Sequence, residues 1–267
     1  MLEIYIKSYK KTYYLGLIIA IIVGALVALV VSIWPEFKAQ SESFRELLDS
    51  PLYGAILGEM VDLDIATFQG FYGMYLFIYL EMILLFLGIF YGASLVSREI
   101  DKNTLDLMLS LPISRTRFLS EKFLVYLSNT IFIPISAITI TFILHYTINE
   151  DFDTISFIYA SLAYWLLFVA VGTISLFMGT VFLDSTKSYV ASGIVILSMW
   201  ILQRVAGLVS SLKDFQYFSI FYYINGASIL KNGIESAYGD IVLALVVSII
   251  FYIASLMVFN SRDLTAV

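Results

Sequence analysis

The chain has 267 residues, 60% of them apolar (AVILMFWYC) and only 13% charged, with a mean hydropathy of +0.91. A soluble domain is about 45–50% apolar and 25% charged, so this chain has too little polar material to cover a water-facing surface and reads as an integral membrane protein. The net charge of −6 disfavours a nucleic-acid partner, the absence of cysteine excludes disulfides and thiolate chemistry, and the single histidine, His145, cannot build a histidine-based metal site.

Residues 1–12 mix Leu2, Ile4, Tyr5 and Ile6 with lysines. They read either as a short helix on the inner membrane face or as an ordinary basic flank of the first span. Six apolar stretches are long enough for a hydrocarbon core of ~30 Å, which takes about 20 helical residues. They lie at about 14–34, 72–96, 122–146, 156–182, 189–209 and 241–259. The first has no small-residue cleavage site and is not expected to be a signal peptide; Trp34-Pro35 predicts an interfacial aromatic and a helix stop. The loop 35–71 is acidic but regularly interrupted by Phe44, Leu47, Leu48, Leu52, Ile56 and Leu57, which predicts amphipathic helices on the outer surface. The second outer segment, 210–240, is rich in Phe and Tyr and predicts a re-entrant or interfacial element.

Six spans place both termini on one side. Ten of the fifteen Lys/Arg fall on that side, against five on the other, which predicts cytoplasmic termini in a multi-pass protein of the cell membrane. Seven acids face those ten positives and thirteen lie outside, so the inner side is net positive.

Glu81 is the one ionisable residue deep in a span, and an intramembrane carboxylate is a functional-site candidate by default. It reads either as lining a substrate path together with Arg204 or as a structural pair with Arg204 at similar depth. Gly88-x-x-x-Gly92 and Ala20-x-x-x-Gly24-x-x-x-Ala28 permit close helix approach, within the chain or across a dimer.

The most informative stretch, 97–117, lies between spans 2 and 3. Asn103 suits an N-cap, and Asp106 suits the positive end of the helix that follows. Leu105, Met108 and Leu109 share a face, Pro112 ends the helix, and Ser114 can cap the next one. A half-apolar cytoplasmic helix of this kind is a docking surface for another protein, or it folds back on the headgroups.

Glu99, then Asn103-Thr104-Leu105-Asp106-Leu107-Met108-Leu109-Ser110-Leu111-Pro112-Ile113-Ser114-Arg115, then Glu121-Lys122, resembles the signature of type-2 ABC exporter permeases. Asn103 and Glu121 stand where that pattern has glycine. The resemblance implies an all-α protein with six transmembrane helices in a single permease domain, 1–267. It also implies an interfacial N-terminal helix and short outer helices between spans 5 and 6. Between spans 2 and 3 it implies a coupling helix, with Glu99, Asn103, Thr104, Leu105, Asp106, Met108, Leu109, Pro112 and Arg115 engaging a separate ABC ATPase. The expected partners are two copies of that ATPase, a second permease copy or a related permease, and membrane lipid, with no nucleic acid. No Gly-x-x-x-x-Gly-Lys-Ser/Thr occurs in the chain. No cofactor is therefore expected in it, and ATP and Mg would be bound by the partner.

The expected function is the permease subunit of an ATP-driven exporter, moving an unidentified substrate by alternating access, with no catalytic site of its own. A permease-like partner in sensing or assembly without cargo is the alternative. A polytopic membrane enzyme would need more clustered polar groups than Glu81 and Arg204 provide, and a secondary transporter would need repeats or several buried charges.

Overall fold

The computed structural model describes residues 3–41, 64–101, 113–148, 150, 153–224 and 226–262. No strand occurs among them, and six helical segments are long and apolar enough to cross a membrane. Each span's helix begins before the apolar stretch that announced it, and most also run past its end, although the fifth stops at Leu208, one residue short of the expected 209. Hydropathy marks only the lipid-embedded residues, whereas i→i+4 hydrogen bonding continues through polar flanks.

Helix α1 (Glu3–Lys38) shows this most clearly. At 36 residues it is about 54 Å long, well beyond the bilayer core. Residues 3–12 are thus not a separate interfacial helix but the first turns of α1. Their anchor is tertiary. The Tyr5 backbone N–H donates to the Glu121 carboxylate at 2.8 Å, and the Tyr5 and Ser128 hydroxyls are 3.0 Å apart. Pro35, expected to stop the helix, lies inside its last turns. There it removes a single backbone bond, while Trp34 and Phe37 pack on Phe71 with ring centroids 5.3 and 4.4 Å away. The expected amphipathic helices with Phe44, Leu47, Leu48, Leu52, Ile56 and Leu57 lie outside the described residues.

Helix α2 (Phe68–Asp101) carries Glu81. Helix α3 (Arg115–Thr130) is capped by Ser114, whose hydroxyl accepts from the Arg117 N–H at 3.2 Å, as the sequence suggests. The third span is two helical segments, α3 and α4 (Phe132–Ile148), with a local irregularity at Ile131, whose backbone stays in the right-handed helical region. Pro134 is the cause. It has no N–H for the Thr130 carbonyl, and its ring crowds that group.

Helix α5 (Thr154–Phe182) is the spine, packed chiefly against α2 and against the last helix. It ends at Leu183, in the left-handed region at φ 52°. Asp184 then caps α6 (Ser185–Leu208) by accepting from the Lys187 N–H at 2.7 Å. A 3-10 segment (Ser210–Phe218), α7 (Ile220–Tyr223) and α8 (Gly226–Asn232) follow. Helix α8 buries Ile229 and Leu230 between α2, α5 and the closing helix α9 (Ile234–Ser261). The start of α1, the end of α9, the α2 C-terminus and the α3 N-terminus share one end of the bundle.

At the opposite end, Asp153 caps α5. Its carboxylate accepts from the Ile155 and Ser156 N–H groups at 3.1 and 3.2 Å and from the Ser156 hydroxyl at 2.6 Å. The Ser156 hydroxyl is the main cause of its lowered pKa. Nearby, the hydrogen bond from Lys38 lowers that of Glu150. A depressed folded-state pKa adds stability that is complete above the unfolded value, about 3.9 for Asp, and is lost as pH falls through the folded value. Asp153→Ala is expected to cost about 1 kcal/mol at neutral pH. Asp153→Asn should keep most of the cap and flatten the acid limb. Thermal unfolding midpoints from neutral pH down to pH ~3 check both, since the contribution fades below the carboxylate pKa.

Candidate coupling site and the intramembrane ion pair

Of the expected coupling residues, Asn103, Thr104, Leu105, Asp106, Met108, Leu109 and Pro112 lie outside the described residues. Glu99 and Arg115 flank that segment, and both are tied down. The Glu99 carboxylate accepts from Lys122 Nζ at 2.5 Å, joining the end of α2 to α3. Arg115 donates from Nη1 to the backbone carbonyls of Phe259 and Asn260, each at 3.4 Å, and to that of Arg262. The Ser185 hydroxyl donates to Ser97 at 3.1 Å, and its N–H reaches Asp101 at 3.4 Å. The ends of α2 and α9 and the starts of α3 and α6 therefore form one braced platform from which residues 102–112 depart and to which they return.

Glu121, which replaces a glycine of the family pattern, has a structural job. Its buried carboxylate accepts the Tyr5 N–H, one of the four unpaired donors at the start of α1, and also Arg117 Nε at 2.7 Å. A carboxylate at a helix N-terminus is favourable electrostatically as well. Sequence reasoning found the departure at Glu121 but not this role. The signal was available in the i, i+4 spacing of Arg117 and Glu121.

Within the bundle, the structure brings Glu81 and Arg204 together. Arg204 Nη2 lies 3.2 Å from each carboxylate oxygen of Glu81, and the two side chains are 15% and 6% exposed. Trp200, one turn before Arg204 on α6, donates its indole N–H to Glu81 Oε1 at 2.7 Å. The guanidinium sits 5.5 Å from the Trp200 ring, within cation–π range. Trp200 escaped the sequence reading, although its i, i+4 relation to Arg204 places the two on one face. Chemically, the cluster is an ion pair with a neutral donor holding one carboxylate oxygen, and it locks α2 to α6. Among the described residues, no group of three or more His, Cys, Asp or Glu could hold a metal ion.

The Gly88/Gly92 face is spent within the chain. A Cβ on Gly92 would lie 2.2 Å from the Gly172 carbonyl oxygen, and one on Gly88 2.7 Å from Val171 Cγ1. Gly24 of the first-span motif faces Ile140 of α4.

A family model described as "ABC-2 family transporter protein" matches residues 5–264. No curated protein and no solved structure matches the chain. The match runs through all six apolar helical segments and through the segment between α2 and α3. The chain therefore belongs to the ABC-2 transporter family, as a multi-pass permease component that partners an ABC ATPase subunit.

Proposed function

We propose that the chain is the permease subunit of an ATP-driven exporter in the cell membrane, with both termini in the cytoplasm. Residues 97–117 receive the stroke of a separate ATPase pair, which alone binds ATP and Mg²⁺. Two permeases, identical or related, enclose the path. The observation that carries this reading is the family match over residues 5–264.

The local geometry suits a lever. Force applied at 103–111 reaches the ends of α2 and α3 together, because Glu99 and Lys122 pair across them. Glu81 and Arg204 carry the motion of α2 to α6. The substrate is unidentified.

The test is co-purification. The tagged chain, extracted in mild detergent from its native membrane, is expected to bring down an ATPase, and Leu105→Asp with Leu109→Asp should abolish the capture. A chain that purifies alone, or an ATPase retained by the double variant, overturns the assignment.

A further inference from the structure

At the end of the bundle that holds the start of α1 and the end of α9, a cavity of about 460 Å³ opens between the first turns of α1, the last turns of α2 and the start of α3. Its charged lining is Lys7, Lys11, Arg98, Lys122 and Glu99. Glu99 is paired with Lys122, and no carboxylate among the described residues forms a salt bridge with Lys7, Lys11 or Arg98. Three positive charges therefore converge on one concavity at the membrane surface.

The cavity does not end in polar surface. Leu15, Tyr91, Ser94 and Arg98 line it and also line an adjoining groove of about 390 Å³ between α1 and α2. Deeper in that groove the walls are apolar, with Ile18, Ile22, Leu87 and Phe90 among them. From Arg98 back to Leu87, α2 rises about 16 Å, roughly half the hydrocarbon thickness and so the depth of one leaflet. The groove exists because α1 leans away from α2 and onto α3 and α4. Gly16 of α1 meets Phe132 and Asn129 there, and Gly24 meets Ile140. The Tyr91 wall is held in place: Asn129 Nδ2 donates to its hydroxyl at 2.6 Å. Phe90 is braced edge-on against Tyr189 of α6, with centroids 5.3 Å apart.

We propose that this cavity and groove bind one anionic glycerophospholipid of the leaflet at that end of the bundle, its phosphate among Lys7, Lys11 and Arg98 and an acyl chain along Leu15, Ile18 and Leu87. The charge pattern selects this occupant. A soluble anion has no use for the apolar groove, a zwitterionic lipid leaves the excess positive charge unmatched, and a second copy of this chain would bring the same positive charge to the same place. The bound lipid fills the gap between α1 and α2 and fixes their spacing beside the segment 97–117. The site is independent of whether that segment meets an ATPase.

Native mass spectrometry of the full chain in detergent, with phosphatidylglycerol or phosphatidylcholine added, tests the proposal. One phosphatidylglycerol is expected to be retained in preference to phosphatidylcholine. Each Lys or Arg near a membrane surface is worth about fivefold in affinity, so Lys7→Gln, Lys11→Gln and Arg98→Gln together should weaken retention about a hundredfold. Lys10→Gln, on an exposed residue outside the lining, should change nothing. Inorganic phosphate should neither bind nor compete.

A second measurement avoids dependence on the charge variants. In nanodiscs of mixed lipid, the added indole of Phe90→Trp should be quenched more by brominated phosphatidylglycerol than by brominated phosphatidylcholine. Equal retention of the two lipids, equal quenching by them, undiminished binding in the triple variant, or displacement by phosphate would each overturn the proposal.

Discussion

Glu81→Ala is expected to lower the unfolding free energy by about 3–5 kcal/mol, the range for removing one partner of a buried ion pair. Arg204 would remain with its side chain 15% exposed, inside a helix bundle where an uncompensated guanidinium costs a few kcal/mol or more. The Trp200 indole N–H would lose its acceptor at the same time. Replacing both charges, as Glu81→Leu with Arg204→Met, should recover most of the loss, because swapping a buried pair for packed apolar groups is commonly near neutral. Thermal unfolding of the single and double variants in one detergent measures this. A Glu81→Ala protein as stable as the parent would mean that water reaches the pair. The double variant also separates two roles. If it folds and transports, the pair is only a clamp between α2 and α6; if it folds but does not transport, the charges themselves are needed for the cycle, on the path or in passing the motion of α2 to α6.

Gly92→Ala should be the most damaging of the single-methyl insertions between α2 and α5. The new Cβ would sit 2.2 Å from the Gly172 carbonyl oxygen, 2.7 Å from its Cα and 2.8 Å from its carbonyl carbon. All three are backbone atoms, so no side-chain rotation relieves the clash and the two helices must part. Overpacking of this kind costs about 1–3 kcal/mol, and here it falls on the axis of the bundle. The control is Gly193→Ala in α6, whose Cβ would meet nothing within 4 Å. That change should stabilise by about 1 kcal/mol through helix propensity alone. Opposite shifts of the unfolding midpoint are expected for the two variants. An unshifted Gly92→Ala would mean that the contact between α2 and α5 is looser than its geometry implies.

What could be read from the residues, and what could not, divides along physical lines. The number of spans and their order follow from runs of apolar residues, since the bilayer imposes a length that any sequence must satisfy. The Ser114 cap was legible because capping is a local bond across three residues. Helix ends were less so: α1 runs from Glu3 through Pro35 because Glu121 and Phe71, distant in sequence, hold its two ends. The irregularity at Ile131 has a sequence cause in Pro134, yet a single proline allows either a bend or a stop.

The sequence by itself determined that this is an all-α membrane protein of six spans, that Glu81 stands out within them, and that the segment between α2 and α3 resembles that of an ABC permease. Those are properties of composition, period and motif, each contained within a few turns of chain. Only the tertiary structure decided that Arg204 and Trp200 close on Glu81, that Gly92 is committed to α5 within one chain, and that Lys7, Lys11 and Arg98 line one cavity. Such pairings depend on how helices rotate and lean against one another, and that is set by side-chain volumes at contacts far apart in sequence.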